Sequence, residues 1–241
     1  IIYCLSSYYF LKKDSIRGLR LLNSYLREIG NLRSSPKYLA NYYNSLAIQN
    51  HMRLKYMDAY HFYNIALDYA KKSNDKQILF RILNNLGSIE RALSGPKGAI
   101  NYHFHAYNIS KNLSQNSLVI SLANIIYSIS QFYPFEKVES YLNDLEDLLK
   151  DVKIEYPAYI GNRMLAFTYI NYHKYDLAER ILFNLKKITN IPENEILIKI
   201  IEGILGGKPD FDYLENRISS YNDEEIIVLY MYLLISKEIY Y

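Results

Sequence analysis

Asparagine is the chemistry-bearing residue whose positions recur along this 241-residue sequence. Asn44 and Asn84 stand 40 residues apart, Asn85 and Asn124 stand 39 apart, and Asn162 and Asn171 bracket the pair Leu165-Ala166. A primary amide offers both a donor and an acceptor, so it can hold a peptide backbone whatever side chains that peptide carries. Arg91 and Arg163 occur among these asparagines and suit a carboxylate. Tyr127 and Phe167 could supply apolar walls. The competing account is composition, because the chain is rich in Asn, Ile, Lys and Tyr throughout and carries Asn64, Asn101 and Asn108 as well. Aromatics also belong in cores, and arginines on solvated surfaces.

Catalytic constellations fail one by one. Gly203-x2-Gly206-Gly207-Lys208 has neither the first glycine nor the Ser or Thr of a phosphate loop, since Glu202 and Pro209 stand in those places, and it reads as a turn between helices. His103 and His105 are two apart and point to different sides of a helix, so they do not share a metal as an i, i+4 pair would. Cys4 has no base fixed near it and reads as a structural thiol. Asp144, Glu146 and Asp147 are most simply a solvated helix face. No catalytic residue, metal ligand or cofactor site is assigned.

Composition places bounds around these residues. A net charge of +3 announces no nucleic-acid surface in this stretch, and a chain that is 50% hydrophobic and 22% charged can bury a core. One cysteine excludes an intrachain disulfide and fits a reducing compartment, so a cytoplasmic location is expected. No apolar run reaches the length of about 18 residues that spans a bilayer, and Ile1–Phe10 lacks the marks of a signal peptide. The start without Met leads us to expect a segment upstream.

Apolar residues recur three and four apart, as in Leu39, Tyr43, Leu46 and Ala47, which is the helical period. Thirteen helices are predicted, over 1–12, 15–30, 36–53, 56–73, 76–93, 96–112, 115–132, 134–151, 157–172, 175–189, 193–205, 209–220 and 222–238, with no strand. Pro36, Pro96, Pro134, Pro157, Pro192 and Pro209 each mark a predicted start, where a proline gives up no hydrogen bond, and Asn222 with Glu225 forms a capping pair. The helices repeat in pairs. Leu46-Ala47, Ala59 and Ala66 recur 40 residues later as Leu86-Gly87, Ala99 and Ala106, then as Ile125, Val138 and Leu145, and again as Leu165-Ala166, Ala178 and Leu185. Leu5, Gly18 and Tyr25 precede them by 41.

Tyr43-x2-Leu46-Ala47 with Ala59-x3-Tyr63-x2-Ala66, and Leu165-Ala166-x2-Tyr169 with Ala178-x3-Leu182, resemble the tetratricopeptide repeat, an antiparallel helix pair whose small residues let neighbours pack closely. The slot that is aromatic in Tyr169 holds Asn50, Glu90 and Ile129 in the other units, and the units exceed the usual thirty-four residues. Units near forty, with a closing segment Glu195–Gly206, Phe211–Glu215 and Asp223–Leu234, resemble the sensor halves of the Rap, Rgg, NprR, PlcR and AimR group of peptide-sensing regulators from Gram-positive bacteria. The resemblance implies an all-α, right-handed α-solenoid: one domain over 1–241, with units 1–33, 34–74, 75–113, 114–153, 154–191 and 192–221 and a closing helix over 222–241. It also implies an upstream helix-turn-helix domain, none being recognisable within 1–241.

In such a solenoid the first helix of each pair lines the concave side. The expected peptide-binding residues are therefore Asn44, Asn84, Asn85, Arg91, Asn124, Tyr127, Arg163 and Phe167, and in the resembled family inner-face asparagines hold the peptide backbone, Asn84, Asn85 and Asn124 matching best. The expected partner is a short peptide or a protein in the groove, with no nucleic acid through this domain and no membrane. A homodimer through the apolar closing segment Ile226–Tyr241 stands beside the alternative that this segment only caps the last repeat. Three readings stay open: peptide sensor of a regulator, general interaction scaffold, and helical enzyme accessory.

Overall fold

The computed structural model describes residues 35–218 and 224–238, with Arg17, Gly18, Arg20, Leu21, Asn23 and Ser24 in addition. The helix expected over 1–12, most of that over 15–30, Cys4, and Asn222 of the expected capping pair lie outside the described residues. Among the described residues every regular element is α-helical, and no helix is long and apolar enough to cross a membrane. The chain forms two compact units, Ile1–Ser114 and Gln115–Tyr241, which divide where the third and fourth sequence units were expected to meet.

The first unit contains α1 (Pro36–Met52), α2 (Tyr56–Ser73), α3 (Lys76–Ser94) and α4 (Pro96–Ser110). The pairs α1/α2 and α3/α4 pack internally, α2 packs on α3, and α1 meets α3. Pro36 and Pro96 occupy first helical positions, and the Asp75 carboxylate starts α3 by accepting from the backbone N–H groups of Gln77 (3.0 Å) and Ile78 (3.1 Å). Lys37 lies 2.8 Å from the same carboxylate, ties the start of α1 to that of α3, and holds Asp75 below the usual carboxylate range. Ala47, Ala59, Ala66, Leu86, Ala99 and Ala106 are all fully buried, as the register requires. Tyr43 stacks on Tyr69 at 5.8 Å and on Phe62 at 6.4 Å, so large aromatics fill the space around the small contact residues.

The second unit contains α5 (Gln115–Ser130), α6 (Phe135–Leu149), α7 (Glu155–Asn171), α8 (Tyr175–Leu185), α9 (Pro192–Ile204), α10 (Phe211–Ile218) and α11 (Glu224–Glu238). Helix α7 is central, packing on α5, α6 and α8, while α9 receives α8, α10 and α11. Ile125, Val138, Leu145, Leu165, Ala166, Ala178 and Leu185 are buried at these contacts. Two expected starts differ where the residues on both sides of the start are described. Pro157 is the third residue of α7, inside the first turn where its missing N–H costs nothing, and α10 begins after Asp210, whose carboxylate accepts from the Tyr213 N–H at 3.0 Å. Helix α8 stops at Leu185 because the Asn194 amide takes the carbonyls of Leu185 and Ile188, each at 2.7 Å. The stretch 205–210 is a connection between α9 and α10, with Gly206 at φ +104.

His103 and His105 do face different ways: His103 is fully buried in α4, and His105 is exposed. His103 stands in the slot of Tyr63, and its ring lies where a Cβ on Gly87 would come within 2.2 Å of Cδ2 and Nε2. Gly87 stands where Ala47 and Ala166 stand in their units because the imidazole needs that volume. Gly87→Ala is expected to lower stability by about 1–3 kcal/mol through overpacking. In a double-mutant cycle with His103→Ala, measured by urea unfolding, the two effects should couple by at least about 0.5 kcal/mol. Additive effects would place the ring elsewhere.

Candidate functional site

The described first helices of the first unit, α1 and α3, lie side by side and exchange polar contacts at the repeat distance. Asn85 Nδ2 donates to Asn44 Oδ1 at 3.1 Å, and one turn earlier Arg81 Nη2 donates to Asn41 Oδ1 at 3.0 Å. Toward the other end of the pair, His51 of α1 feels the charge of Arg91 of α3. From Asn41 to His51 the stripe runs ten residues, about 15 Å at 1.5 Å per residue. It presents amides in the middle with a guanidinium at each end. The apolar and small residues behind it fix the helix separation, so the amides meet across repeats rather than within one helix.

Asn44 is buried apart from a small exposed edge, whereas Asn85 is half-buried and Arg81 exposed. Asn84 behaves differently from its neighbour. It is buried, and its Nδ2 donates to the carbonyl of Phe80 one turn back on its own helix, at 3.1 Å. Its backbone carbonyl also accepts from Ser88 Oγ at 3.2 Å. Adjacent positions on a helix are turned about 100° from each other, so Asn84 points further into the packing of α3 than Asn85 does. Sequence reasoning missed Asn41, Arg81 and His51, although Asn41 and Arg81 are 40 residues apart and that offset was a usable signal.

In the second unit the corresponding helices are α5 and α7. Tyr127 and Phe167 are brought together, ring centroids 5.5 Å apart and planes at 32°, and both are buried. They pack on one another between the two helices rather than standing open as walls. Arg163 lies over the Tyr159 ring at 5.5 Å, a contact that steadies the guanidinium without neutralising it. Asn124 is half-buried, and its backbone carbonyl accepts from Ser128 Oγ at 3.0 Å. Four of the eight expected residues thus belong to each unit. Among the described residues no group of three or more His, Cys, Asp or Glu side chains is placed to hold a metal ion.

No family model matches the sequence, and no curated protein does. Solved structures do match in fold. The quorum sensor NprR in complex with its cognate peptide NprX aligns over 100% of this chain and 71% of its own, with TM-score 0.66 and 12% identity. The apo form of NprR from B. thuringiensis aligns over 100% and 70%, with TM-score 0.65 and 12% identity. A Podosopora anserina protein of nearly identical TPR-like repeats, described as a kinesin light chain, aligns over 78% and 92%, with TM-score 0.53 and 15% identity. The chain therefore has the all-α, TPR-like repeat solenoid fold that these proteins share.

His51 carries the pH dependence of this face. Burial, reinforced by Arg91, holds its imidazole below the ordinary value of 6.5, so the folded chain resists a proton that the unfolded chain accepts. The stabilising contribution of neutral His51 is present above the unfolded value and lost as the pH falls through the range below it. Urea unfolding should show the native chain losing more stability between about pH 7 and pH 5 than a His51→Gln variant does. Equal losses would mean that His51 titrates as a solvated side chain.

Proposed function

We propose that the first-helix faces of this domain bind a short extended peptide, and that the domain is the ligand-sensing part of a peptide-responsive regulator. The observation that carries this reading is the cross-repeat amide pair Asn44–Asn85, extended by Asn41–Arg81 on one side and by Arg91 beside His51 on the other. A peptide backbone presents an N–H and a carbonyl at every residue, and a rigid pair of amides can serve both. The two arginines suit a carboxylate near each end of the peptide. NprR, with which the chain shares its fold, was solved with its cognate peptide, and this supports the assignment of ligand class.

A second reading, a scaffold for protein partners, is favoured by the likeness to the kinesin light chain repeats. In both readings Asn85, Asn124, Arg91 and Arg163 are contact residues, and Tyr127 and Phe167 hold α5 against α7. Asn84, whose Nδ2 donates to the Phe80 carbonyl, stays among the proposed contact residues beside Asn85. Neither reading calls for a catalytic group or a cofactor.

Helix α11 supports a proposal about assembly. Ile226, Leu229, Tyr230 and Leu233 are buried in the unit, while Ile227, Val228, Met231 and Ile235 remain exposed on the other side of the same helix. One face caps the last pair, and we propose that the second face joins two copies. Sedimentation at tens of micromolar should give a dimer for the native chain and a monomer for Met231→Glu; a native monomer would remove the proposal.

The peptide reading is tested by isothermal titration against a library of short peptides. Asn85→Ala should weaken binding by about 0.5–1.5 kcal/mol with melting unchanged, the loss expected for one hydrogen bond in a partly dry groove. Asn101→Ala, on the exposed side of α4, should leave binding unchanged. Equal effects from the two would make the asparagines compositional and move binding to another face.

A further inference from the structure

The second unit contains a cleft that the peptide-sensing reading does not use. It lies between α6 and α8, over the Ala158–Asn162–Leu165 stripe of α7, and has a volume of about 570 Å³. That is the size range of ligand-binding pockets, about 300–1,000 Å³. Its shape follows from two contacts. The last turn of α6 rests on α7 at Gly161, where a Cβ would lie 2.7 Å from Leu149 Cδ2. At the other end Glu146 of α6 and Arg180 of α8 bridge the cleft with contacts of 2.8 and 2.7 Å, and Tyr169 OH donates to the same carboxylate at 2.5 Å.

The chemistry of the walls is uneven. The floor is apolar, from Leu149, Leu165 and Ile181. The Glu146 carboxylate is paired with Arg180 and accepts from Tyr169, so the negative charge lining the cleft is already compensated. The cations at the mouth are Lys150 and Lys187. Lys150 is paired at 2.6 Å with Asp147, both side chains being 73% exposed, an arrangement worth little and easily exchanged for another carboxylate. Lys187 lies over the Phe183 ring at 4.2 Å. Two amides line the cleft, Asn162 from the α7 floor and Asn184 from the α8 wall. Asn162 is 6% exposed; its Nδ2 donates to the Ala158 carbonyl at 2.8 Å, while its Oδ1 is buried with no hydrogen-bond partner. A buried acceptor left unpaired is costly, and an entering N–H is the group it lacks.

We propose that the cleft between α6 and α8 binds an extended peptide segment in which an apolar side chain is followed by an acidic one. The apolar side chain enters over Leu165 and Ile181, the backbone N–H and carbonyl meet the two amides, and the carboxylate replaces Asp147 at Lys150 or sits beside Lys187. This site is independent of the α1/α3 face and stands or falls separately from it.

The probe is a fluorescein-labelled Glu-Leu-Glu-Leu-Glu peptide, blocked at its C terminus and followed by fluorescence anisotropy with the full chain, beside its Lys-Leu-Lys-Leu-Lys counterpart. The acidic peptide should bind and the basic one should not. Lys187→Glu and Ala158→Trp should each weaken binding about tenfold or more, whereas Asn85→Ala should leave it unchanged. Circular dichroism checks each fold, and if Ala158→Trp melts early, Asn184→Ala replaces it with a loss of about threefold or more. No binding at 1 mM, equal binding of the basic peptide, insensitivity to the cleft variants, or sensitivity to Asn85→Ala would each overturn the proposal. Competition by free N-acetylglutamate as effective as the unlabelled peptide would overturn it as well, reducing the cleft to a site for an anion.

Discussion

The helix pairs and the faces they present depend on how near two helix backbones can come where a small residue stands between them. Ala47 and Ala59, Ala99 and Ala106, Ala166 and Ala178 are all fully buried, and at Gly87 and Gly161 the approach leaves no room even for a methyl group. Close approach brings the flanking large side chains into dense contact, and burying each such side chain contributes about 1.5–3 kcal/mol. It also fixes the rotation of each helix about its own axis. A rotation error of one residue would turn Asn85 away from Asn44 and carry Leu86 out of the core. The polar pairs at offsets of 40 and 41 are therefore consequences of the small-residue register, and the candidate binding face is only as rigid as those contacts.

The same register is filled with different chemistry in the two units. In the first, α1 and α3 meet through amides and a guanidinium that stay partly in contact with water. In the second, the meeting of α5 and α7 is dominated by Tyr127 against Phe167, both buried. A polar contact between first helices contributes modestly and leaves hydrogen-bonding capacity for a ligand, whereas an aromatic one contributes more and leaves little.

Helix existence and period were legible because they follow from apolar spacing, and eight of the described helices begin within one residue of where that spacing puts them. Pro157 and Pro209 misled because a proline is tolerated anywhere in a first turn or just before it, so its position does not by itself set the start. At the candidate site, the slots of Asn44, Asn85 and Asn124 could be read from offsets. The inward fold of Asn84 onto Phe80 could not, since it depends on a rotation of about 100° between neighbouring positions and on what space α3 leaves there. Tyr127 and Phe167 show the same ambiguity: nothing in a single sequence tells an aromatic that lines a groove from one that closes it.

The turns between paired helices show which level of structure dominates. Leu54 and His173 occupy equivalent places after α1 and α7, and both adopt left-handed backbone, φ 60 and φ 56. Each turn carries the same two bonds, from Leu54 N to His51 O and Lys55 N to Asn50 O, and from His173 N to Ile170 O and Lys174 N to Tyr169 O, all between 2.8 and 2.9 Å. Glycine or asparagine is the local preference at such a position, and a leucine held there costs about 1–2 kcal/mol. Local preference thus gives way to the docking of the helix pair. Helices that come together at Ala47 and Ala59 leave only this path for the three residues that join them, whatever those residues are.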